Sequence, residues 1–154
     1  MDWSDEHGFT LLEMVCVMAL VALVAAVLLP MLPRHTTRAG LQAYALQTAA
    51  LLKADRMAAI RRHGDVTTLV DAAARAIKSG STRDIIRIPD DVQVNALLPQ
   101  TCRQRAALST ISFFADGMSC GGAITLSRLD RTYEIRVNWL TGRVEIVSPG
   151  VTAN

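Results

Sequence analysis

The hydrophobic period changes twice along the chain, and each change marks a different kind of element. From Phe9 to Leu32 run 24 residues in which only Thr10 and Glu13 are polar. At about 1.5 Å per residue this makes a helix roughly 36 Å long. Because a bilayer's hydrocarbon core is about 30 Å thick, the run predicts a membrane-crossing segment. One carboxylate interrupts it. A charge at mid-depth costs roughly 2.5–3.5 kcal/mol on insertion scales and needs a partner, so Glu13 is a functional candidate.

After Pro30 and Pro33 the pattern becomes amphipathic. Leu41, Ala45, Ala49, Leu52, Ala59 and Ile60 fall on one stripe, predicting a helix over 37–63 that continues out of the membrane and lays one face on a domain. Arg61, Arg62 and His63 suit the negative end of its dipole, and Gly64 supplies a stop. Together with Arg56 they read as a solvated helix end that could also meet lipid phosphates or a partner.

From Val66 the period falls to two. Strands are predicted at 66–70, 85–88 and 92–94, whereas 71–83 mixes an alanine run with Ser79-Gly80-Ser81 and is left unassigned. Asp90 and Asp91 follow Pro89 and read as a turn rather than a catalytic or metal-binding pair. Further on, Ile111 and Phe113 alternate with Ser112 and Phe114. Ile124 and Leu126 alternate with Thr125 and Ser127, and Tyr133, Ile135, Val137 and Trp139 with Glu134, Arg136 and Asn138. Leu140-Thr141-Gly142-Arg143 then forms a hairpin connection to Val144 and Ile146. The sum is an α+β chain, a long N-terminal helix on a small antiparallel sheet.

Composition narrows the function. The 154 residues hold one anchor and one domain of modest core, and the anchor inflates the 51% hydrophobic content. Net charge is +2, with the basic residues scattered and aromatic residues few, which argues against a nucleic-acid surface. His7, His35 and His63 are dispersed, so neither a Ser/His/Asp nor a Cys/His site is expected, and no catalytic residue is assigned. No Cys-x-x-Cys or Cys/His ligand spacing occurs, and no metal or other cofactor is expected. Asp116-Gly117 and Gly121-Gly122 lack the lysine and following helix of a P-loop, leaving a tight turn between strands. Cys16 reads as a packing residue in the apolar helix. Cys102 and Cys120 could be joined if the domain faces an oxidising compartment.

Gly8-Phe9-Thr10-Leu11-Leu12-Glu13 and the apolar run behind it resemble the processing and N-methylation motif of type IV pilins and type II secretion pseudopilins. The resemblance implies a leader, residues 1–8, cut between Gly8 and Phe9 by prepilin peptidase, which also methylates the new Phe9 amine. Residues 9–33 would then be the membrane and assembly helix, 34–63 its soluble part, and 64–154 a periplasmic β-rich domain of type IV pilin-like fold. Pro30 falls where many members have a kinking proline. The new amine would lie one helical turn from Glu13, so the glutamate of one subunit could neutralise the amine of its neighbour in low dielectric.

Phe113-Phe114-Ala115-Asp116-Gly117-Met118-Ser119-Cys120-Gly121-Gly122-Ala123-Ile124-Thr125-Leu126 and Val137-Asn138-Trp139-Leu140-Thr141-Gly142-Arg143-Val144 resemble the C-terminal region of the general secretion pathway protein H (GspH)/FimT family. This implies a non-catalytic minor pseudopilin in a bacterial inner membrane, single-pass, with prepilin peptidase, other pseudopilins and the inner-membrane assembly platform as partners, and exported substrates as further candidates. A FimT-like minor pilin of a type IV pilus or DNA-uptake system is the alternative. A membrane-anchored enzyme or binding protein is a more distant one. The leader departs from the family pattern, carrying Asp2, Asp5 and Glu6 with no Lys or Arg. By charge alone, Arg34 and Arg38 would favour the opposite orientation. Losing the leader would leave 16 basic residues against 14 − 3 = 11 acidic ones, net +5.

Overall fold

The computed structural model describes residues 10–28 and 35–148. Contacts divide the chain into two units, 1–35 and 36–154, and each is considered by itself. The first contributes helix α1, Leu11–Leu28, apolar around its whole circumference apart from Glu13. Among the described residues no helix is long and apolar enough to cross a membrane. The 18 residues of α1 reach roughly 27 Å at about 1.5 Å each, and the rest of the stretch predicted to span lies outside the described residues.

In the second unit, helix α2 (Arg38–Arg62) begins at its own cap rather than running on from the apolar segment. Residues 35–37 are not helical. Thr37 is extended, and its hydroxyl accepts from the Gly40 amide at 3.1 Å, satisfying one of the orphan donors of the first turn. At the other end the left-handed residue is His63, one position before the predicted glycine stop, and the Gly64 amide bonds back to the Ala59 carbonyl. The predicted stripe holds from Leu41 through Ala59, with Ile60 only half-buried.

Two sheets stand where one was expected. β1 (Val66–Asp71), β2 (Ala76–Lys78), β3 (Ile85–Arg87) and β7 (Thr110–Phe113) form the first, in the order β3-β2-β1-β7. β4 (Gln93–Leu97), β8 (Gly122–Arg128), β9 (Arg131–Val137) and β10 (Val144–Val147) form the second, in the order β10-β9-β8-β4. Both are antiparallel, and a two-stranded ribbon, β5 (Thr101–Cys102) with β6 (Arg105–Ala106), stands apart from them. The unassigned stretch resolves into a turn at 72–75, strand β2 and a loop from Ser79. Helix α2 packs on both sheets. Leu41, Leu52, Ile77, Ile111, Phe113, Ile124, Leu126 and Ile135 fill the space between them and are essentially inaccessible to solvent. Each such aliphatic side chain contributes about 1.5–3 kcal/mol by leaving water.

Two side chains break the predicted alternation. Trp139 lies beyond the end of β9 and is 65% exposed, because the Asn138 side chain accepts from the Leu140 and Thr141 amides and turns the chain first. Phe114 is buried although it follows an inward Phe113, because the Arg103 guanidinium covers its ring at 3.5 Å.

Candidate functional site

The N-terminal head begins at Thr10. Its hydroxyl accepts from the Glu13 amide and its carbonyl from the Met14 amide, both at 3.2 Å, so Thr10 caps α1. Glu13 is exposed in the first turn, at the positive end of the helix dipole. The signal for this cap was present in the sequence, because Thr10-x-x-Glu13 has capping-box spacing. Gly8 and Phe9, the predicted processing residues, lie outside the described residues. What the head displays is one acid at the start of a helix with no other polar face.

The most elaborate polar site is one the sequence reading missed. Asp55 occupies a core position of the α2 stripe and is fully buried. Its Oδ1 accepts from the Ser79 hydroxyl at 2.6 Å and from both the amide and the hydroxyl of Ser81; its Oδ2 accepts from Thr68 at 2.6 Å and the Gly80 amide at 3.0 Å. Burial by itself pushes this carboxyl up. The hydrogen bonds from Ser79, Ser81, Thr68 and Gly80 outweigh it and hold the carboxyl below its ordinary value. The loop approaches so closely that a Cβ on Gly80 would overlap the Thr67 backbone. A carboxylate four residues before Ala59 on an otherwise apolar stripe was the available signal.

Asp91 ties a second junction. It sits in the predicted turn after Pro89, where the Val92 amide bonds the Pro89 carbonyl at 3.1 Å. Its carboxylate accepts from the Thr36 amide at 2.6 Å, the Thr36 hydroxyl at 2.7 Å and Arg128 Nε at 2.8 Å. The Thr36 hydroxyl and amide, helped by Arg128, hold its pKa down at about 2. The neighbouring Asp90 pairs instead with Arg75. The two carboxylates therefore act as separate ties.

The glycine-rich C-terminal motifs converge at one end of the second unit. Arg56, half-buried rather than solvated, donates from Nε to the Gly117 carbonyl at 3.0 Å. Gly142 has φ +61° and lies so close to that carbonyl and to Arg56 that no Cβ fits. The Ser119 amide bonds the Trp139 carbonyl at 3.0 Å, and the Ser119 hydroxyl bonds that of Asn138 at 3.1 Å. These contacts hold a surface groove of about 750 Å³ whose lining includes Leu97, Pro99, Trp139 and Arg136. Trp139 is exposed there, and the adjoining Leu140 is exposed as well. Cys102 and Cys120 are paired, with Cα atoms 5.7 Å apart, a separation a disulfide spans. Cys102 ends β5. Among the described residues no group of three or more His, Cys, Asp or Glu could hold a metal ion.

Comparison with known proteins follows the same division of the chain. Residues 3–29 match the family described as the prokaryotic N-terminal methylation motif. A curated relative, the type II secretion system protein H of Xanthomonas campestris pv. campestris, is 31% identical over 140 residues, covering 90% of this chain and 81% of that protein. Among solved structures, the minor pseudopilin EpsH from the type 2 secretion system of Vibrio cholerae superposes with a TM-score of 0.57 at 12% identity, over 71% of this chain and 97% of that one. The type IV minor pilin FimU of Pseudomonas aeruginosa superposes with a TM-score of 0.53 at 15% identity, over 77% and 98%. The two structural likenesses establish a shared fold.

Proposed function

The chain belongs to the type II secretion system protein H family, and from that membership we propose a non-catalytic minor pseudopilin that supports protein export. In this reading residues 1–8 are a leader, prepilin peptidase cuts between Gly8 and Phe9, and the Phe9 amine is methylated. The segment 9–33 then anchors the subunit in the inner membrane and inserts it among other pseudopilins, 34–63 holds the separately capped helix α2 outside the membrane, and 64–154 faces the periplasm. The coincidence of a methylation motif at residues 3–29 with protein H identity over most of the chain carries the proposal.

The residues support a mechanical role. An apolar helix needs lipid or other helices around it, and α1 offers one carboxylate at its head as the group a neighbour's amine would answer. The paired Cys102 and Cys120 fit an oxidising compartment. The exposed Trp139 and Leu140 beside the groove are the surface we assign to neighbouring pseudopilins, the assembly platform or exported substrates. The test is mass spectrometry of the N-terminal peptide from native membranes. A chain beginning at N-methylated Phe9 is expected, and one beginning at Met1, or at an unmodified residue elsewhere, overturns the proposal.

The likeness to FimU favours a second reading, a minor pilin of a type IV system. Deleting the gene separates the two. Loss of exoenzyme export supports the first, whereas loss of twitching or transformation with export intact supports the second.

A further inference from the structure

A recess of about 450 Å³ opens on the outward face of the first sheet, on the side away from α2. Its floor is hydroxylic: Thr67 on β1 stands opposite Ser112 on β7, their oxygens 3.0 Å apart. One of these hydroxyls donates to the other, which leaves the second O–H free to donate outward. The wall is the β5–β6 ribbon. Its two-residue turn holds Arg103 and Gln104 at φ +47° and +65°, a left-handed pair that non-glycine residues adopt at a cost. Ribbon pairing and the Cys102–Cys120 link hold this turn in place.

The two arginines of the ribbon differ. Arg103 is committed, stacked on Phe114 and 3.5 Å from the Asp116 carboxylate. Arg105 lines the same recess, and among the described residues its guanidinium has no ion pair or hydrogen bond. Asp65 lines the recess as well, and among the described residues the two do not pair. The recess therefore presents a free five-donor fork, a free acceptor and a hydroxyl donor, with little net charge.

From this arrangement we propose that the Arg105 recess binds a single carboxylate, an acidic side chain or chain terminus, on an extended segment of a partner polypeptide. A carboxylate matches the fork of Arg105 in bidentate geometry. Asp65 then accepts a backbone N–H of the same segment, which only a polypeptide supplies next to its acid. The same aspartate repels a second negative charge, so phosphate-dense polymers are disfavoured. The inference concerns the second unit alone and stands whether or not the chain assembles into a pseudopilus.

The test uses the full chain in detergent micelles, labelled for NMR and titrated with capped glycine pentapeptides carrying a central glutamate or a central glutamine. The glutamate peptide should saturably shift the Arg105 side-chain resonance and the Ser112 amide, and the glutamine peptide should not. Arg105→Gln should weaken binding at least ten-fold with the remaining spectrum unchanged, Arg105→Lys should restore it in part, and Arg87→Gln, on another strand, should leave it intact. Equal response to both peptides, no saturable shift, survival of binding in Arg105→Gln, or tighter binding of inorganic phosphate or a DNA oligonucleotide would each overturn the assignment. Asp65→Asn supplies an independent arm: it should raise phosphate binding relative to the parent, and no change there also counts against it.

Discussion

Replacing Asp55 by asparagine keeps the shape of the buried side chain and removes only its charge and one acceptor. Oδ1 takes three of the five hydrogen bonds, so the asparagine oxygen will settle there and its amide nitrogen will replace Oδ2. The Thr68 hydroxyl can rotate to accept from that nitrogen. The Gly80 amide cannot, and two donors are left facing each other across a contact that was 3.0 Å. One orphaned buried donor costs about 1–3 kcal/mol, and the surviving bonds fall from charged to neutral strength. We expect Asp55→Asn to lower unfolding free energy by about 2–3 kcal/mol and Tm by roughly 10 °C. Asp55→Ala, which adds a cavity, should cost about 3–5 kcal/mol. Urea unfolding of residues 36–154, the unit that contains the core, measures both.

The pH dependence makes the same prediction sharper. Because the folded carboxyl lies below the ordinary aspartate value of 3.8, the unfolded chain takes up the proton first. The Asp55 contribution is therefore complete above about pH 3.8 and is lost as pH falls toward the folded value. The gap between parent and Asp55→Asn should be widest near neutrality and close on acidification below 3.8. An asparagine variant as stable as the parent at pH 7, or a gap that is constant into acid, would refute the reasoning.

Glu13→Ala should leave cleavage intact while reducing incorporation into assembled pseudopili; wild-type levels in sheared filaments would count against the ion-pair role. Gly142→Ala meets both a left-handed φ and the Gly117 carbonyl, so a loss of about 2–4 kcal/mol is expected by urea titration. Thr48 is fully buried, and among the described residues its hydroxyl has no partner, so the isosteric Thr48→Val should stabilise the domain by about 0.5–1.5 kcal/mol in the same assay. Removing both cysteines as Cys102→Ser/Cys120→Ser should cost about 3 kcal/mol, the closure entropy of a loop of this length. Reduction of the parent should reproduce that loss.

The sequence by itself determined what depends on local period and short motifs. A run of apolar residues needs no partner to be read, so α1 was visible, as were the α2 stripe, the alternating strands and the motif around Glu13. The hairpin at Leu140–Arg143 followed from its turn residues, and the assignment of Gly8 and Phe9 as processing residues rests on resemblance alone. Tertiary structure decided everything that joins distant positions. Alternation predicts which face of a strand is apolar but not which strands share a sheet, so two four-stranded sheets were read as one. Asp55 stood on an apolar stripe with its five donors supplied by residues 13 to 26 positions later, and no local signal reaches that far. Phe114 broke the period because a separate ribbon covers it. Arg105 and Asp65 lie 40 positions apart in the chain and meet at one recess only because β1 pairs with β7. Local sequence sets backbone preference and amphipathicity, whereas the burial of a charge depends on which remote groups arrive to satisfy it.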